Sequence, residues 1–344
     1  MKKINTNALK KSLKKDTNVS VLALMLIAVT LTLGLVLGDR FFSANNFSSI
    51  ASQIPEFGFL AIAMCLAMLT GGIDLSIVAN ANLSGIIAAM IMSGKLFSIE
   101  SMNPILVITI GIVTAIVVST LCGCLNGFFI AKLSVPPILA TLGTMIFFSG
   151  VGMALSNGES VGILVEGFSN IGMAEVFGIP VIFIMLIIAL ILISFILSKT
   201  EFGKKIYLLG ENSTALKFSG TDTEKTTIKT YAMIGAFVGI SSIIMISRVN
   251  SARVGFGSTY QLQAILVSVL AGFDPDGGKG KITGVVLGMT LLQFLQSAFT
   301  ILNFTPYSKN LIWGAMLILV MIISYFINKE KTVKVTKKLV GAKE

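Results

Sequence analysis

Long apolar runs alternate with short polar stretches along the chain, and this pattern predicts a bundle of membrane-spanning helices. A bilayer core of about 30 Å requires about twenty predominantly apolar residues in a helix that crosses it. The predicted spans lie at about residues 19–38, 55–70, 77–93, 104–126, 135–155, 178–198, 226–247, 261–273, 282–302 and 308–327. The eighth is too short to span unless Tyr260 and the glycine-rich turn after it extend the helix. We therefore predict an all-α, polytopic membrane protein with about ten transmembrane helices.

Composition and charge distribution support this class and predict an orientation. The 344 residues are 54% hydrophobic and only 12% charged, which lies outside the range of soluble globular proteins. The formal charge is +10, but basic and aromatic residues do not interleave, so we predict no nucleic-acid partner. With the amino terminus inside, only five of the 26 basic residues fall in outside segments: Arg40, Lys95, Arg248, Arg253 and Lys309. The positive-inside rule then places both termini in the cytoplasm, an agreement that an odd number of spans would break.

The same pattern divides the chain into a basic lead at 1–18, a transmembrane domain at 19–327 and a basic tail at 328–344. The lead could form an interfacial helix on anionic lipid, or be a solvated tail that only fixes orientation. Cysteines occur only in apolar segments, which predicts free thiols, and the chain has no histidine. We predict no cofactor, no metal site and no enzymatic activity.

The polar interval Lys199–Lys229 is the longest patterned aqueous segment of the transmembrane domain. Residues 211–220 predict a short helix with Asn212 or Ser213 as its N-cap and Gly220 as its left-handed stop. Residues 221–224, Thr-Asp-Thr-Glu, have the spacing of a capping box and predict the start of the next span.

This short helix is the first candidate functional site. It is too short to be stable alone, so its apolar residues are expected to pack against something outside the chain. We interpret the interval 199–229 as a cytoplasmic loop that docks a soluble partner. The candidate docking residues are Gly210, Glu211, Asn212, Ala215, Leu216, Phe218 and Gly220.

The second site is the stretch Thr70–Ser76, where two glycines permit positive φ and an aspartate lies between apolar segments. A carboxylate at membrane depth is costly, so Asp74 is expected to face a cavity, a helix N-terminus or the boundary. It could cap the helix that begins at Leu75, or it could contact the transported molecule.

Several polar residues within the spans are candidates for the walls of a path across the membrane. Asn80 and Asn82 could instead form interhelical hydrogen bonds, and the small residues around Thr141 could serve close helix packing. The candidate path residues are Asp74, Asn80, Asn126, Thr141, Thr144, Gln261 and Gln263.

On the predicted outer side, the connection 157–179 is long enough to carry structure of its own. It is acidic, whereas Arg248 and Arg253 are basic, and together they are candidates for docking an extracytoplasmic partner or are merely solvated charges. The stretch 41–50 predicts a short amphipathic segment along the outer surface. The glycine-rich stretch 271–280 fails the spacing of a phosphate loop and predicts a flexible inside turn.

Taken together, several motifs resemble the permease subunits of ribose-type ABC importers, the simple-sugar branch of a family that includes branched-chain amino-acid permeases. They spread from about residue 40 to 325, and their order and spacing are specific where each alone would be weak. The motifs are Gly71-Gly-Ile-Asp-Leu-Ser76, Leu125-Asn-Gly127 with Pro136-Pro137 and Thr141-Leu-Gly-Thr144, Phe202-Gly203 with Gly210-Glu-Asn and Ser219-Gly220, and the stretch 260–280.

The resemblance implies a ten-helix, type II-like permease that pairs with a second copy or a paralogue. It also implies ATP-binding subunits docked inside, on the loop that looks like a coupling helix, and an extracytoplasmic binding protein that delivers a simple sugar. Two departures leave the cargo open: Gln261 and Gln263 stand where acids are expected, and residues 77–80 lack the expected glycine. A signalling furanone or a nucleoside could also fit.

The main alternative is a secondary transporter coupled to H⁺ or Na⁺, which would require paired acids within helices and two broken repeats. Asp74 is the one acid that the sequence predicts within the membrane.

Overall fold

The computed structural model describes residues 17–96, 98–99 and 102–322 and is mostly helical. The helices are α1 (Thr17–Leu37), α2 (Asp39–Phe42), α3 (Ala44–Leu69), α4 (Ile77–Met92), α5 (Pro104–Ala131), α6 (Pro137–Ser156), α7 (Asn170–Met173), α8 (Val181–Lys199), α9 (Glu201–Glu211), α10 (Ser213–Phe218), α11 (Thr223–Val249), α12 (Ser258–Leu270), α13 (Ile282–Ile301) and α14 (Pro306–Ile322). The tail 328–344 and all but the last two residues of the lead 1–18 lie outside the described residues.

Four two-residue strands occur among the described residues, all in the connections at one end of the bundle. β1 (Val161–Gly162) pairs antiparallel with β4 (Ser251–Ala252), and β2 (Glu175–Val176) pairs antiparallel with β3 (Ile179–Pro180). The long connection after α6 therefore carries structure, as its length predicts. The all-α class is confirmed.

Each of the ten predicted spans coincides with a helix, but the helices differ in length. Among the described residues, seven are long and apolar enough to cross a membrane. Helices α4 and α14 are shorter apolar helices, and α12 has only 13 residues. The chain is a multi-pass membrane protein. The number of helices that cross stays a prediction.

The beginning of α3 corrects the sequence interpretation. No separate amphipathic segment spans residues 41–50, because Ser43 accepts a hydrogen bond from the amide of Asn46 and starts α3 at Ala44. Pro55 lies inside that helix, so the span is longer than the predicted 55–70. Phe41 is fully buried against Phe294 of α13, which explains why this region folds inward.

The centre of the bundle is α3, whose residues from Ile54 to Leu69 are all buried. Helix α11 packs against it, and α5 packs on α11 with the two backbones in contact. A Cβ built on Gly235 would overlap the carbonyl oxygen of Ser119, and one on Gly239 would lie 2.8 Å from the Cα of Ile116. Ser119 Oγ also donates to the carbonyl of Gly235 at 2.6 Å. Close approach of two helices through small residues is the usual packing of membrane bundles.

The two ends of the bundle carry different structures. One end, called here the α10 end, contains α9, α10, the end of α3 and the starts of α6 and α11, which line a common cavity. The opposite end contains the paired strands β1 and β4, and the amide of Leu164 bonds the last residue of α4 there, Met92. Because α4 starts near the α10 end and finishes at the opposite end with only 16 residues, the stretch before it must enter the bundle as non-helical chain.

Candidate functional site

The short helix α10 forms where the sequence predicts it. The side chain of Asn212 accepts from the amide of Ala215 at 2.8 Å, and Gly220 adopts φ +82°, so both predicted ends are confirmed. The predicted capping box at 221–224 is wrong. Asp222 is the N-cap of α11 and accepts from the amide of Lys225 at 2.9 Å, a bond that lowers the pKa of this carboxyl.

The prediction that the apolar residues of α10 face outward is right for two of the three. Phe218 is 88% exposed and Ala215 is exposed, but Leu216 is buried against the bundle. The helix period puts Leu216 and Phe218 on opposite faces, since they are two residues apart, and the packing of α10 turns the Leu216 face inward. Glu211 is exposed beside them. Gly210 is partly buried with its backbone against Leu69 and Gly278, so the structure places this candidate docking residue against the bundle and away from the exposed face of α10.

Behind α10 lies a cavity of about 550 Å³. Its walls come from the end of α3, the α5–α6 turn, α9 and the start of α11. Three carboxylates line it, from Glu211, Glu224 and Asp276. Glu224 pairs with Lys132 at 2.6 Å and thereby raises the pKa of that lysine, so the pair ties the α5–α6 turn to α11.

One turn inside the α10 end, polar side chains from several helices converge on Asp74. Its Oδ1 accepts from the amide and the hydroxyl of Ser76, at 2.9 and 2.7 Å. Asn126 of α5 donates to the Ser76 hydroxyl at 2.8 Å and to Asp74 Oδ2 at 3.5 Å, and Gln261 of α12 donates to the Asp74 carbonyl at 3.3 Å. Asp74, Ser76, Asn126, Thr141 and Gln261 are called here the Asp74 cluster.

Thr141 of α6 completes the Asp74 cluster through the backbone. Its hydroxyl donates to the carbonyl of Ile73 at 3.1 Å and accepts from the amide of Leu75 at 3.1 Å. The prediction that Asp74 is the N-cap of a helix starting at Leu75 is wrong, because that helix starts at Ile77 with Ser76 as N-cap. The aspartate instead closes the turn before the helix, because its carboxylate reaches the Ser76 amide two residues on.

The remaining candidate path residues lie apart from the Asp74 cluster. Asn80 donates to the carbonyl of Ser119 in α5 at 3.1 Å, which is the predicted interhelical hydrogen bond. Asn82 instead donates to the carbonyl of Phe256 in the connection between α11 and α12, so its predicted interhelical bond is wrong. Thr144 donates to the Thr141 carbonyl within its own helix, and Gln263 is buried in α12. The structure therefore brings four of the seven candidates together in one cluster: Asp74, Asn126, Thr141 and Gln261.

A second buried polar group joins three helices nearer the opposite end. Glu56 of α3 forms an ion pair with Arg248 of α11 and accepts a hydrogen bond from the hydroxyl of Tyr260 of α12. Arg248 also donates to the carbonyl of Ser52 at 3.1 Å. The guanidinium is thus held inside the protein, which contradicts the prediction that Arg248 docks a partner; Arg253 is exposed.

Sequence reasoning missed Glu56 because it treated residue 55 as the start of a span. The usable signal was an acid in the apolar run that follows Pro55, since a membrane carboxylate usually has a partner.

Comparison with known proteins decides the class. A family model described as the permease component of the branched-chain amino acid transport system matches residues 46–321. The chain belongs to this family of transport permeases. It is 31% identical over 312 residues to the ribose import permease protein of Haemophilus influenzae, covering 89% of this chain and 91% of the relative.

Other relatives have similar coverage. The L-arabinose transport system permease protein of Escherichia coli is 29% identical over 308 residues, which are 90% of this chain and 91% of the relative. The autoinducer 2 import system permease protein of Yersinia pestis is 26% identical over 307 residues, 88% and 89% of the two chains. No solved structure matches the chain. The predicted resemblance is confirmed.

Proposed function

We propose that this permease is the membrane-spanning subunit of an ABC importer that takes up a monosaccharide, ribose or another simple sugar. Separate ATPase subunits drive it, a second copy or a paralogue completes the pore, and an extracytoplasmic binding protein delivers the cargo. The names of the ribose and arabinose relatives support a sugar cargo. The relative that imports autoinducer 2 supports the alternative small polar cargo.

The proposed orientation puts the α10 end in the cytoplasm, together with both termini. Four of the lysines in the interval 199–229 lie at the end of α8, on α9 or on α10: Lys199, Lys204, Lys205 and Lys217. Positive charge of this density favours the cytoplasmic side.

The geometry of α10 is the single observation that supports an ATPase partner most directly. This six-residue helix lies in the connection between α8 and α11, both of which are long enough to cross a membrane. It presents Phe218, which is 88% exposed, whereas Leu216 is buried. An isolated exposed phenylalanine on a water-facing helix gains about 1.5–3 kcal/mol when a partner groove buries it. We therefore assign Phe218, with Ala215 and Glu211, to the contact with the ATPase.

Replacing Phe218 with alanine is expected to weaken binding of the ATPase roughly tenfold or more, because the buried apolar area is lost. The measurement is co-purification of the ATPase with the permease in detergent, followed by a titration of the two subunits. The matched control is Phe177→Ala, since Phe177 is fully exposed at the tip of the β2–β3 hairpin at the opposite end. Equal loss in both variants would contradict the docking assignment.

The opposite end is the proposed surface for the binding protein. Arg253 is exposed there, close to the strand β4 that pairs with β1 of the acidic 157–179 connection. Arg248 has no share in this surface, because Glu56 holds its guanidinium.

The Asp74 cluster is proposed as part of the translocation region, with the aspartate fixing the turn from which α4 departs. Asp74→Asn is expected to lower sugar uptake several-fold, because an amide presents N–H groups to the donors of Ser76 or Asn126. Hydrogen bonds to a charged group contribute about 1.5–3 kcal/mol each. Uptake of labelled sugar by cells measures the effect, with the exposed Asp39→Asn as control. Unchanged uptake in Asp74→Asn would show that the carboxylate is dispensable.

Ion-coupled secondary transport is the second candidate function, because two acids, Glu56 and Asp74, are buried within the bundle. Glu56 already has Arg248 as its counter-charge, so among the buried acids of the described residues Asp74 remains as the one that could carry a proton. Uptake by vesicles without the ATPase discriminates the two functions. Uptake that follows an ion gradient and ignores ATP would favour this alternative.

A further inference from the structure

At the end of α9, the segment that carries α10 touches the centre of the bundle through a contact between glycines and backbone. Gly210, the second-last residue of α9, lies against the last residue of α3. A Cβ built on Gly210 would overlap the carbonyl oxygen of Leu69 and lie 2.5 Å from the amide nitrogen of Gly278. Gly210 is eight residues from Phe218, so the contact lies at the base of the docking segment.

The turn between α12 and α13 fills the other side of the same contact. A Cβ on Gly277 would lie 2.6 Å from the carbonyl oxygen of Gly210, and one on Gly278 would lie 2.9 Å from the Cα of Glu211. The amide of Gly278 donates to the carbonyl of Leu69 at 3.0 Å. Three backbone segments therefore touch at one point, with no side chain between them.

Hydrogen bonds fix the turn on both sides of this point. Tyr207 of α9 donates its hydroxyl to the carbonyl of Gly280 at 2.8 Å. Within the turn, Lys279 pairs with Asp274 at 3.0 Å, and the amide of Gly277 donates to the Asp274 carbonyl at 2.9 Å. The turn is thus a closed unit and not the flexible loop that the glycines suggest in the sequence.

The contact continues into the stretch that leads to Asp74. A Cβ on Gly71 would lie 3.2 Å from the carbonyl oxygen of Asp276, and one on Gly72 would lie 2.6 Å from the Cβ of Pro137. Close contacts therefore connect Gly210 to the end of α3, to the α12–α13 turn, to the stretch before Asp74 and to the start of α6.

We propose that Gly210, Gly277 and Gly278 are positioning residues that transmit displacement of α10 to the membrane helices. Long side chains in contact could absorb such a displacement by changing rotamers, whereas backbones in contact move together. Glycine is required because only a residue without a Cβ permits this approach. The proposal rests on the proposed ATP-driven function.

The test uses the complete importer reconstituted with its ATPase and binding protein, and measures ATPase co-purification, ATP hydrolysis and sugar uptake. Gly210→Ala is expected to keep the ATPase bound and hydrolysing, and to lower uptake per ATP hydrolysed by roughly tenfold, because overpacking by one methyl group pushes the segments apart. Gly143→Ala on α6 is the matched control, since a Cβ there meets nothing within 4 Å.

A merely structural role would lower hydrolysis and uptake together through loss of folded protein, and would leave uptake per ATP unchanged. An unchanged ratio in correctly inserted Gly210→Ala overturns the proposal. If that variant does not accumulate, Tyr207→Phe is tested instead, because it removes only the hydrogen bond to Gly280. Uptake per ATP hydrolysed is again expected to fall, and an unchanged ratio overturns the proposal. The exposed Tyr307→Phe is the control. Absence of ATP-driven uptake by the unmodified protein would instead refute the proposed function itself.

Discussion

Replacing Glu56 with glutamine is expected to lower the free energy of unfolding by about 3 kcal/mol, because it leaves a buried guanidinium without its counter-charge. Arg248 is only 26% exposed, and Glu56 is its one ion-pair partner among the described residues. Glutamine has nearly the same volume as glutamate and keeps one hydrogen-bond acceptor, so the loss of unfolding free energy measures the effect of removing the charge. Unfolding of the purified permease in mixed micelles measures the effect.

A double variant separates the pair from the packing around it. Glu56→Gln combined with Arg248→Met is expected to be more stable than Glu56→Gln alone, because the unpaired charge is then absent. The exposed Glu159→Gln serves as control. If Glu56→Gln unfolds at the same denaturant concentration as the unmodified protein, the ion pair contributes nothing to stability.

Replacing Gly235 with leucine is expected to lower the free energy of unfolding by about 3 kcal/mol, as much as the loss of Glu56, because two helix backbones meet at this residue. A Cβ there would lie 2.8 Å from the Cα of Thr120 and would overlap the Ser119 carbonyl, neither of which can move without separating α5 from α11. The hydrogen bond from Ser119 to the Gly235 carbonyl would be lost as well. The yield of monodisperse protein and its unfolding in mixed micelles measure the effect.

The matched substitution is Gly150→Leu on α6, where a Cβ meets nothing within 4 Å. This variant is expected to retain the stability of the unmodified protein, since the side chain points away from other parts of the chain. Similar losses in the two variants would mean that leucine at any helical glycine is harmful, and would contradict the assignment of a specific backbone contact to Gly235.

The span positions could be predicted because hydropathy is a property of the local sequence. The segments that follow α3 in the chain were placed within a few residues, and so were the ends of α10. The predicted helix boundaries were wrong where the packed structure keeps a proline inside a helix or uses a different N-cap residue from the one that the local sequence favours. Pro55 stays within α3 because neighbouring helices compensate for its missing hydrogen bond, and Asp222 replaces Thr221 as the cap of α11.

For the candidate sites too, single residues could be identified from the sequence, but the contacts between them could not. The sequence identified Asp74, Asn126, Thr141 and Gln261 one at a time as polar residues in apolar surroundings, but their convergence depends on four different segments of the chain. The partner of Arg248 is 192 residues away in the sequence, at Glu56. Pairings at such separation leave no local pattern, which is why Arg248 was assigned to the surface.

By itself the sequence determined a polytopic helical permease with a short helix at 213–218 in its longest polar interval. Apolar runs and caps act over a few residues, so they can be identified without knowing the fold. The tertiary structure alone decided that Leu216 faces inward, that Glu56 holds Arg248, and that Gly210 lies on Leu69 and Gly278. Each of these depends on segments that meet only when the helices pack, and packing is set by the shape of all of them together.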